Sequence, residues 1–379
     1  MPYPPAPRWS SLLLASSLLG AVGCTLPRYL ADGAREPVPF YLGTNDTEYE
    51  GGIFAGGLHA GGLAGWARVG EATQPTFLAW GPQRSTLLAV EELPEGRVAS
   101  FSTGNPTRAG RRDSLLRLST RATGGGAPCH VAVSGESLVA VSNYAGGNLA
   151  LLHLGPDGAL SERLDLHDHR LAPTNTAHAH SAYFVGGGEE LIAADLGVDA
   201  IFRYGLGGDT LAPLPQTTVA LPPGTGPRHI AVAPDGDRYY VVNEYGSSVT
   251  LVEGLGTATH RVVETVSTLP PERVDAENYP SHVALSDDGR WLYVANRGDN
   301  SLAVFRVNGR TGQLRLRQAV PVGGDWPRHF AISPGGGYLV VANQRSNNVV
   351  LFRRSRRAGK LTLSDRVVAP VPQPMCVLF

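Results

Sequence analysis

The side chains best suited to chemistry at neutral pH interrupt an otherwise repetitive sequence. Arginine occupies the middle of a repeated triplet only at Arg228 and Arg328, and Arg297 follows the end of a repeated apolar run. Glu244 is an acid at the matching place in the repeat that contains Arg228. Guanidinium groups bind phosphate or carboxylate bidentately, and a nearby histidine can act as a base for water. The set predicts an anionic small-molecule ligand, and a ring-stabilising Arg228–Glu244 ion pair is the structural alternative.

The elements that must position these residues come from a repeat with a period near fifty residues. A Pro-x-His-like triplet recurs at spacings of 53, 50, 49, 53, 47 and 47 residues, each copy followed by apolar runs separated by a glycine-containing turn. A repeat of this length that contains strand-forming apolar runs is typical of propeller blades. The predicted fold class is all-β, a seven-bladed β-propeller. The triplets begin at Pro75, Pro128, His178, Pro227, Pro280, Pro327 and Pro374.

The two ends of the repeat region complement each other. Residues 374–379 supply a first strand with nothing after it, and residues 40–44 resemble a second strand with no first strand before it. Their pairing would close the ring and remove two exposed sheet edges. We therefore expect one propeller domain over residues 40–379.

Two repeated positions should meet at one mouth of the channel, because a tight turn joins the first and second strands at the other face. Asn143 and Asn243 end second strands, while His130 and His180 fill the third triplet position. Residues that recur in every blade are usually architectural, as strand caps or blade-to-blade hydrogen bonds. His130, Asn143 and Asn243 are nevertheless candidate substrate contacts, and His178 is placed at the mouth without a role.

Composition narrows the class of partner. Charged residues make up 17% of the chain and the net charge is −1, so no basic stripe favours nucleic acid. No Cys-x-x-Cys or His-x-x-x-His pair predicts a zinc site. Cys129 and Cys376 are expected to be buried thiols, because a disulfide would have to cross the channel.

The N-terminus has the pattern of an export signal. Arg8 precedes an apolar stretch, residues 12–22, that is too short to span a bilayer and ends in small residues before Cys24. We predict a signal peptide over residues 1–24 with Cys24 lipidated, and a linker over residues 25–39. The protein would then reach the periplasm or cell surface and touch the membrane only through its lipid anchor. Ordinary secretion with cleavage near Gly23 is the alternative.

Five segments in register resemble the β-propeller lactonase family, which includes bacterial 6-phosphogluconolactonase and the fungal carboxymuconate lactonising enzyme. The resemblance covers residues 40–379 and rests on the following segments: Ser142–Gly147, Asp195–Asp199, Gly226–His229, Tyr240–Glu244 and Tyr293–Arg297. It implies a lactone hydrolase that needs no metal or cofactor. The family's catalytic histidine, two arginines and glutamate fall on four residues present here: His180, Arg228, Arg297 and Glu244.

The resemblance also implies a division of labour. His180 would activate water, Arg228 and Arg297 would hold the anionic group and stabilise the oxyanion, and Glu244 would orient an arginine or shuttle a proton. Arg328 is an additional contact for a phosphate or carboxylate. Because a phosphorylated sugar lactone is a cytosolic metabolite, the export signal leaves open a non-phosphorylated or carboxylate lactone. A non-catalytic cell-surface propeller that binds a ligand or protein is the alternative from another class.

If Cys24 carries the lipid, Cys24→Ser should release the protein from the membrane fraction while leaving it exported, because the anchor alone holds it there. Fractionation followed by N-terminal mass analysis measures both effects. Wild-type protein recovered from the cytoplasm with Met1 intact would contradict the export prediction.

Overall fold

Strand-forming runs of β-branched and aromatic residues build seven antiparallel sheets arranged as the blades of a propeller. The structure is a computed structural model that describes residues 37–46, 51–59, 62–104, 114–170, 176–208, 210–214, 218–255, 260–367 and 371–379, with only the backbone of 365–367. Cys24, the signal peptide and most of the predicted linker lie outside these residues. In the part described, no helix is both long enough and apolar enough to cross a bilayer.

Blades 1 to 3 follow one another along the chain, each with its first strand on the channel. Blade 1 has β4 (Leu78–Trp80), β5 (Thr86–Glu91), β6 (Arg97–Ser102) and β7 (Leu116–Ala122). Blade 2 has β8 (Pro128–Val133), β9 (Leu138–Asn143), β10 (Asn148–His153) and β11 (Asp165–Asp168). Blade 3 has β12 (Ala179–Val185), β13 (Glu190–Asp195), β14 (Ala200–Leu206), β15 (Leu211–Pro213) and β16 (Val219–Ala220).

Blades 4 to 6 are regular four-stranded sheets. Blade 4 has β17 (Pro227–Val232), β18 (Arg238–Asn243), β19 (Ser248–Glu253) and β20 (Arg261–Ser267). Blade 5 has β21 (Tyr279–Leu285), β22 (Trp291–Arg297), β23 (Ser301–Val307) and β24 (Leu314–Pro321). Blade 6 has β25 (Pro327–Ile332), β26 (Tyr338–Asn343), β27 (Asn348–Arg354) and β28 (Leu361–Val367).

Blade 7 combines the two ends of the chain, as the unpaired terminal strands predict. Its order is β29 (Pro374–Leu378), β1 (Val38–Thr44), β2 (Ile53–His59) and β3 (Gly62–Gly70). Strand β29 pairs antiparallel with β1 from Leu378 opposite Tyr41 to Pro374 opposite Thr44. The Trp80 indole of blade 1 donates to the Phe379 carbonyl at 2.7 Å, so the closing strand is also tied to the next blade. The predicted fold and ring closure are confirmed.

The apolar core is divided among the seven blade interfaces. Each interface holds one cluster of buried residues drawn from two neighbouring sheets, such as Tyr240 and Val249 of blade 4 with Leu292 and Phe305 of blade 5. The inner strands are buried on both faces and read as continuous apolar runs, whereas outer strands such as β20 alternate. Each blade therefore depends on its two neighbours for its core.

Aromatic rings fill the channel below one mouth. Phe77 and His130 lie 4.3 Å apart, His282 stacks on His329 at 3.8 Å, and His229 Nδ1 lies 2.8 Å from His282 Nδ1. Burial, followed by the Arg228 charge, lowers the pKa of His130 to about 3, and the same causes act on His329. Burial also holds the pKa of His229 and His282 well below the usual value. These four histidines, the channel histidines, are neutral in the folded protein.

This packing predicts a loss of stability in mild acid. Histidines of the unfolded chain have a pKa near 6.5, so below that pH they bind protons, whereas the buried channel histidines of the folded protein stay neutral. The stability present above pH about 6.5 is therefore lost progressively towards pH about 3. The free energy of unfolding from denaturant titrations between about pH 7 and about pH 4 measures this slope.

His282→Gln should flatten that slope, whereas His153→Gln, on a partly exposed strand end outside the channel, should leave it unchanged. Equal slopes in the two variants would contradict the role of the channel histidines.

Candidate functional site

A β-bulge interrupts the first strand at the triplet and turns one side chain towards the mouth. In blade 6 Pro327 pairs with Asn343 and His329 with Ala342, so Arg328 is the extra residue. The register shifts at the same place in the other blades from 2 to 7. Bulges re-aim side chains and are common beside functional sites. The middle triplet residues form a ring, hereafter the bulge ring: Cys129, His180, Arg228, Ser281, Arg328 and Met375, with Thr76 at the matching place in blade 1.

The strand register corrects the predicted position of His180 within its triplet. Ala179 pairs with Asp195 just as Pro227 pairs with Asn243, and Ser181 then pairs with Ala194. The blade 3 triplet is therefore Ala179-His180-Ser181, not His178-Ala179-His180. His180 belongs to the bulge ring with Arg228 and Arg328, and does not share the position of the channel histidines. A missing proline in blade 3 concealed this shift of one residue.

Three of the predicted catalytic residues form one ion cluster at the mouth. Glu244 Oε2 accepts from Arg228 Nε at 3.0 Å and lies 2.7 Å from Arg297 Nη2. Arg297 Nε also donates to the Tyr279 carbonyl at 2.9 Å. The side chains of Arg228 and Arg297 are 2% and 4% exposed, whereas that of Glu244 is 15% exposed. The carboxylate thus bridges two nearly buried guanidinium groups.

The charges in this cluster are unbalanced. Burial favours a raised pKa for Glu244, but Arg297, Arg228 and Arg328 together keep it below its usual value, so the carboxylate is ionised. Burial and the mutual repulsion of the arginines lower the pKa of Arg228 well below normal and that of Arg297 to about 10. Glu244 therefore bridges Arg228 and Arg297 while Arg328 adds a third positive charge nearby, and a further anion would stabilise the three arginines.

The sequence motif around Arg228 holds the cluster in place. Gly226 has φ +62°, its N–H donates to Asp199 Oδ1 at 2.6 Å, and its carbonyl accepts from the Glu244 N–H at 2.7 Å. A Cβ on Gly226 would lie 2.8 Å from Cδ2 of Tyr245. A side chain here would therefore be strained and would crowd the tyrosine.

His180 lies in the same positive field. It is 3% exposed, its Nδ1 is 3.7 Å from Cys129 Sγ, and its ring is 5.5 Å from that of His229. Burial, then Arg228, Arg328 and Arg297, hold its pKa well below the usual value, so it is neutral. A cavity of about 10 Å³, roughly one water, lies beside its neighbours Cys129 and Arg228, although His180 itself does not line it. Its lining includes Cys129, Arg228, Arg328 and Glu92.

A hydrogen-bond chain links the cluster to the channel. Arginine can only donate, so the 3.1 Å contact from Arg228 Nη1 makes His229 Nε2 the acceptor. The neutral ring then carries its proton on Nδ1, which can donate to His282 Nδ1 at 2.8 Å. His282 is therefore coupled to Arg228 through a single intervening residue.

Aromatic residues surround the cluster, and the sequence did not indicate them as functional. Tyr144 stacks on His178 at 4.3 Å and hydrogen-bonds the half-exposed Tyr245. Trp326 lies 5.3 Å from the Arg297 guanidinium and 3.3 Å from that of Arg345. Tyr144 directly follows the strand-end Asn143 and Tyr245 lies two residues after Asn243, so the residues just beyond those asparagines were the signal that could have found them. His178 thus lies at the mouth, as predicted.

Three candidate substrate contacts, His130, Asn143 and Asn243, are not part of the ion cluster. His130 stacks under Phe77 in the channel and its Nδ1 accepts from the Ala182 N–H at 3.4 Å. Asn143 and Asn243 have no exposed surface; they donate to Asn148 Oδ1 at 2.7 Å and to Ser248 Oγ at 2.9 Å. These contacts favour the architectural alternative, while Oδ1 of Asn143 and Oδ1 of Asn243 are buried without a hydrogen-bond partner among the described residues.

Both channel-mouth thiols are free and buried, as expected. Among the residues that the structure describes, no group of three or more His, Cys, Asp or Glu side chains is placed to hold a metal ion.

The sequence as a whole matches a known family. The model of the family described as lactonase, 7-bladed beta-propeller matches residues 39–379. A 6-phosphogluconolactonase from Bacillus subtilis strain 168 is 33% identical over 263 residues, which is 66% of this chain and 72% of the relative. A 6-phosphogluconolactonase from Formosa agariphila is 30% identical over 265 residues, 66% of this chain and 72% of the relative.

Solved structures agree over nearly the whole propeller. The periplasmic gluconolactonase of Pseudomonas aeruginosa superposes with a TM-score of 0.82 at 29% identity, covering 89% of this chain and 98% of that one. A protein from Lactobacillus plantarum gives a TM-score of 0.81 at 29% identity, covering 90% and 99%.

Proposed function

Because this chain belongs to the seven-bladed β-propeller lactonase family, we propose that it hydrolyses a sugar lactone of the 6-phosphogluconolactone type at the channel mouth. The observation that carries this proposal is the bridge that Glu244 forms between Arg228 and Arg297. Arg328 and His180 belong to the same bulge ring as Arg228. The excess of guanidinium charge suits a phosphate or carboxylate.

In the proposed reaction, water adds to the lactone carbonyl carbon and the ring C–O bond breaks to give a hydroxy acid. His180 accepts the proton of the attacking water and returns one to the departing ring oxygen. Arg297 and Arg228 stabilise the oxyanion that develops on the carbonyl oxygen, and Glu244 keeps both guanidinium groups oriented. Side chains alone carry these steps, as the family resemblance implies.

The low pKa of His180 is consistent with a base whose proton affinity increases when the substrate binds. In the unliganded protein His180 is neutral, because burial and then the surrounding arginines disfavour the imidazolium that proton transfer produces. An anionic substrate offsets the arginine part of this effect, so its binding raises the proton affinity of His180 when the base is needed.

A non-phosphorylated or carboxylate lactone is the second candidate. The solved neighbour from Pseudomonas aeruginosa is a periplasmic gluconolactonase, and the N-terminal pattern of this chain predicts export to the periplasm or cell surface. Tyr144, Tyr245 and Trp326 offer aromatic faces for a sugar ring with either substrate. Lipidation at Cys24 stays part of the proposal.

A surface propeller that only binds a ligand is the alternative from another class. It would use the same arginines to hold an anion, but it has no need for His180 beside them.

Removing Arg297 should cut hydrolysis with little change in global fold, because Arg228 still pairs with Glu244. Arg297→Ala should lower kcat/KM about a hundredfold, the usual effect of losing a charged donor aimed at developing charge. Arg228→Ala should also lower the thermal midpoint, since its guanidinium contacts His229 and the Ser281 carbonyl. Steady-state hydrolysis of 6-phosphogluconolactone and of gluconolactone measures the effect.

Arg290→Ala is the matched control, because Arg290 pairs with Asp288 at 2.6 Å on the opposite face. If Arg328→Ala harms the phosphorylated lactone more than the plain one, the phosphate is held there. Equal activity of Arg297→Ala and Arg290→Ala would overturn the catalytic assignment.

His180→Ala should lower kcat by about a hundredfold or more if His180 is the base. Its control is His329→Ala, which also removes a buried imidazole, one that accepts from the Val377 N–H at 3.3 Å. The control should lose stability and keep its turnover per folded molecule. If both variants lose stability equally and hydrolysis survives in both, the ligand-binding alternative is supported instead.

A further inference from the structure

A second concentration of positive charge lies in blade 6, away from the mouth. Strand β27 begins at Asn348 opposite Asn343, at the mouth, so Arg354 and the following hairpin lie on the opposite face. Residues 353–360 contain Arg353, Arg354, Arg356, Arg357 and Lys360 and no acid. Five cations within eight residues contrast with the net charge of −1 of the whole chain.

These side chains line a cavity rather than a flat patch. Its volume is about 320 Å³, within the range of small-molecule sites. The lining joins the cations to two hydroxyls and one aromatic ring: Gly337, Tyr338, Arg353, Arg354, Ser355, Arg356, Lys360 and Thr362.

One of the arginines is fixed before any ligand binds. Arg354 is buried, its Nε donates to the Tyr293 hydroxyl at 2.7 Å, and its Nη1 donates to the Gly336 carbonyl at 2.7 Å. The hairpin is closed by the Ser355 N–H on the Lys360 carbonyl at 2.9 Å. Such pre-organisation reduces the entropy lost on binding.

Blade 6 differs here from its neighbours. The first hairpin of blade 4 carries Asp235, which pairs with Arg238, and that of blade 5 carries Asp288, which pairs with Arg290. The matching residue of blade 6 is Gly335, in a run of three glycines. A Cβ on Gly336 would lie 2.9 Å from Arg354 Nη1, so the glycines make room for the arginines. Among the side chains that the structure describes, no ion pair neutralises Arg353, Arg356 or Lys360.

We propose that this cavity binds the phosphate group of a phosphorylated ligand. Arg354 provides the fixed donor, while Arg356 and Lys360 provide exposed cations that close on the anion. The phosphate can belong to a free phosphate ester or to a phospholipid headgroup. The phospholipid source is supported by the predicted lipid anchor at Cys24, which precedes β1 in the sequence. Strand β1 begins at Val38 on this same face, in the adjacent blade 7.

Lys360 makes the test specific, because it is the only lysine in the 379 residues. Acetylation of its amine in the full chain, followed by mass spectrometry of the peptide, reports on this cavity and not on the mouth arginines. Inorganic phosphate or glycerol 3-phosphate should slow acetylation about tenfold at a concentration about ten times the dissociation constant, relative to chloride at equal ionic strength. Vesicles of phosphatidylglycerol are compared with vesicles of phosphatidylcholine.

Arg356→Ala should abolish most of this protection. Arg261→Ala is the matched control, because Arg261 occupies the equivalent hairpin of blade 4 with its side chain 69% exposed and paired with Glu253. Protection by glycerol 3-phosphate without protection by vesicles assigns a free phosphate ester, and protection by phosphatidylglycerol vesicles that Arg356→Ala removes assigns a headgroup. Acetylation that neither phosphate nor vesicles slow, or protection that survives Arg356→Ala, overturns the proposal.

Discussion

Pairing of β29 with β1 is the contact on which the rest of the molecule depends. Each blade buries its apolar faces only against its two neighbours, so an open ring would expose the faces of two blades and two unpaired strand edges. The pairing from Tyr41–Leu378 to Thr44–Pro374 and the Trp80–Phe379 hydrogen bond close that gap. Closure also fixes the diameter of the channel, and with it the distance between bulge-ring side chains that are about fifty residues apart in sequence.

The bulge at each triplet converts the regular ring into a site. A regular strand would keep its side chains in the interfaces between blades, whereas the extra residue points towards the mouth. Six blades share this device, so the same backbone presents Cys129, His180, Arg228, Ser281, Arg328 and Met375 side by side. Chemistry can thus vary by single substitutions in a ring whose cores are elsewhere.

Burial links the stability of the channel to the electrostatics of the mouth. The channel histidines are neutral because they are buried beneath Arg228, and Arg228 in turn uses His229 as an acceptor. An anion at the mouth relieves repulsion among the arginines without altering the packed rings below. The cations on the far face of blade 6 differ, because all but the buried Arg354 are exposed and they lack the acids that blades 4 and 5 provide.

The sequence alone determined the blade number, the closure by the two termini and the candidate set of Arg228, Glu244 and Arg297, because a period near fifty and departures from it are local signals. The family resemblance grouped His180 with the arginines, but only the tertiary structure placed it at their bulge position, since a one-residue shift in register is invisible where blade 3 lacks its proline. The tertiary structure also favours architecture for Asn143, Asn243 and His130, because their burial depends on neighbouring blades even where the hydrogen-bond partner is local in sequence. The same dependence explains why the aromatic residues around the ion cluster, Tyr144, Tyr245 and Trp326, and the basic cavity of blade 6 became apparent only in the folded chain.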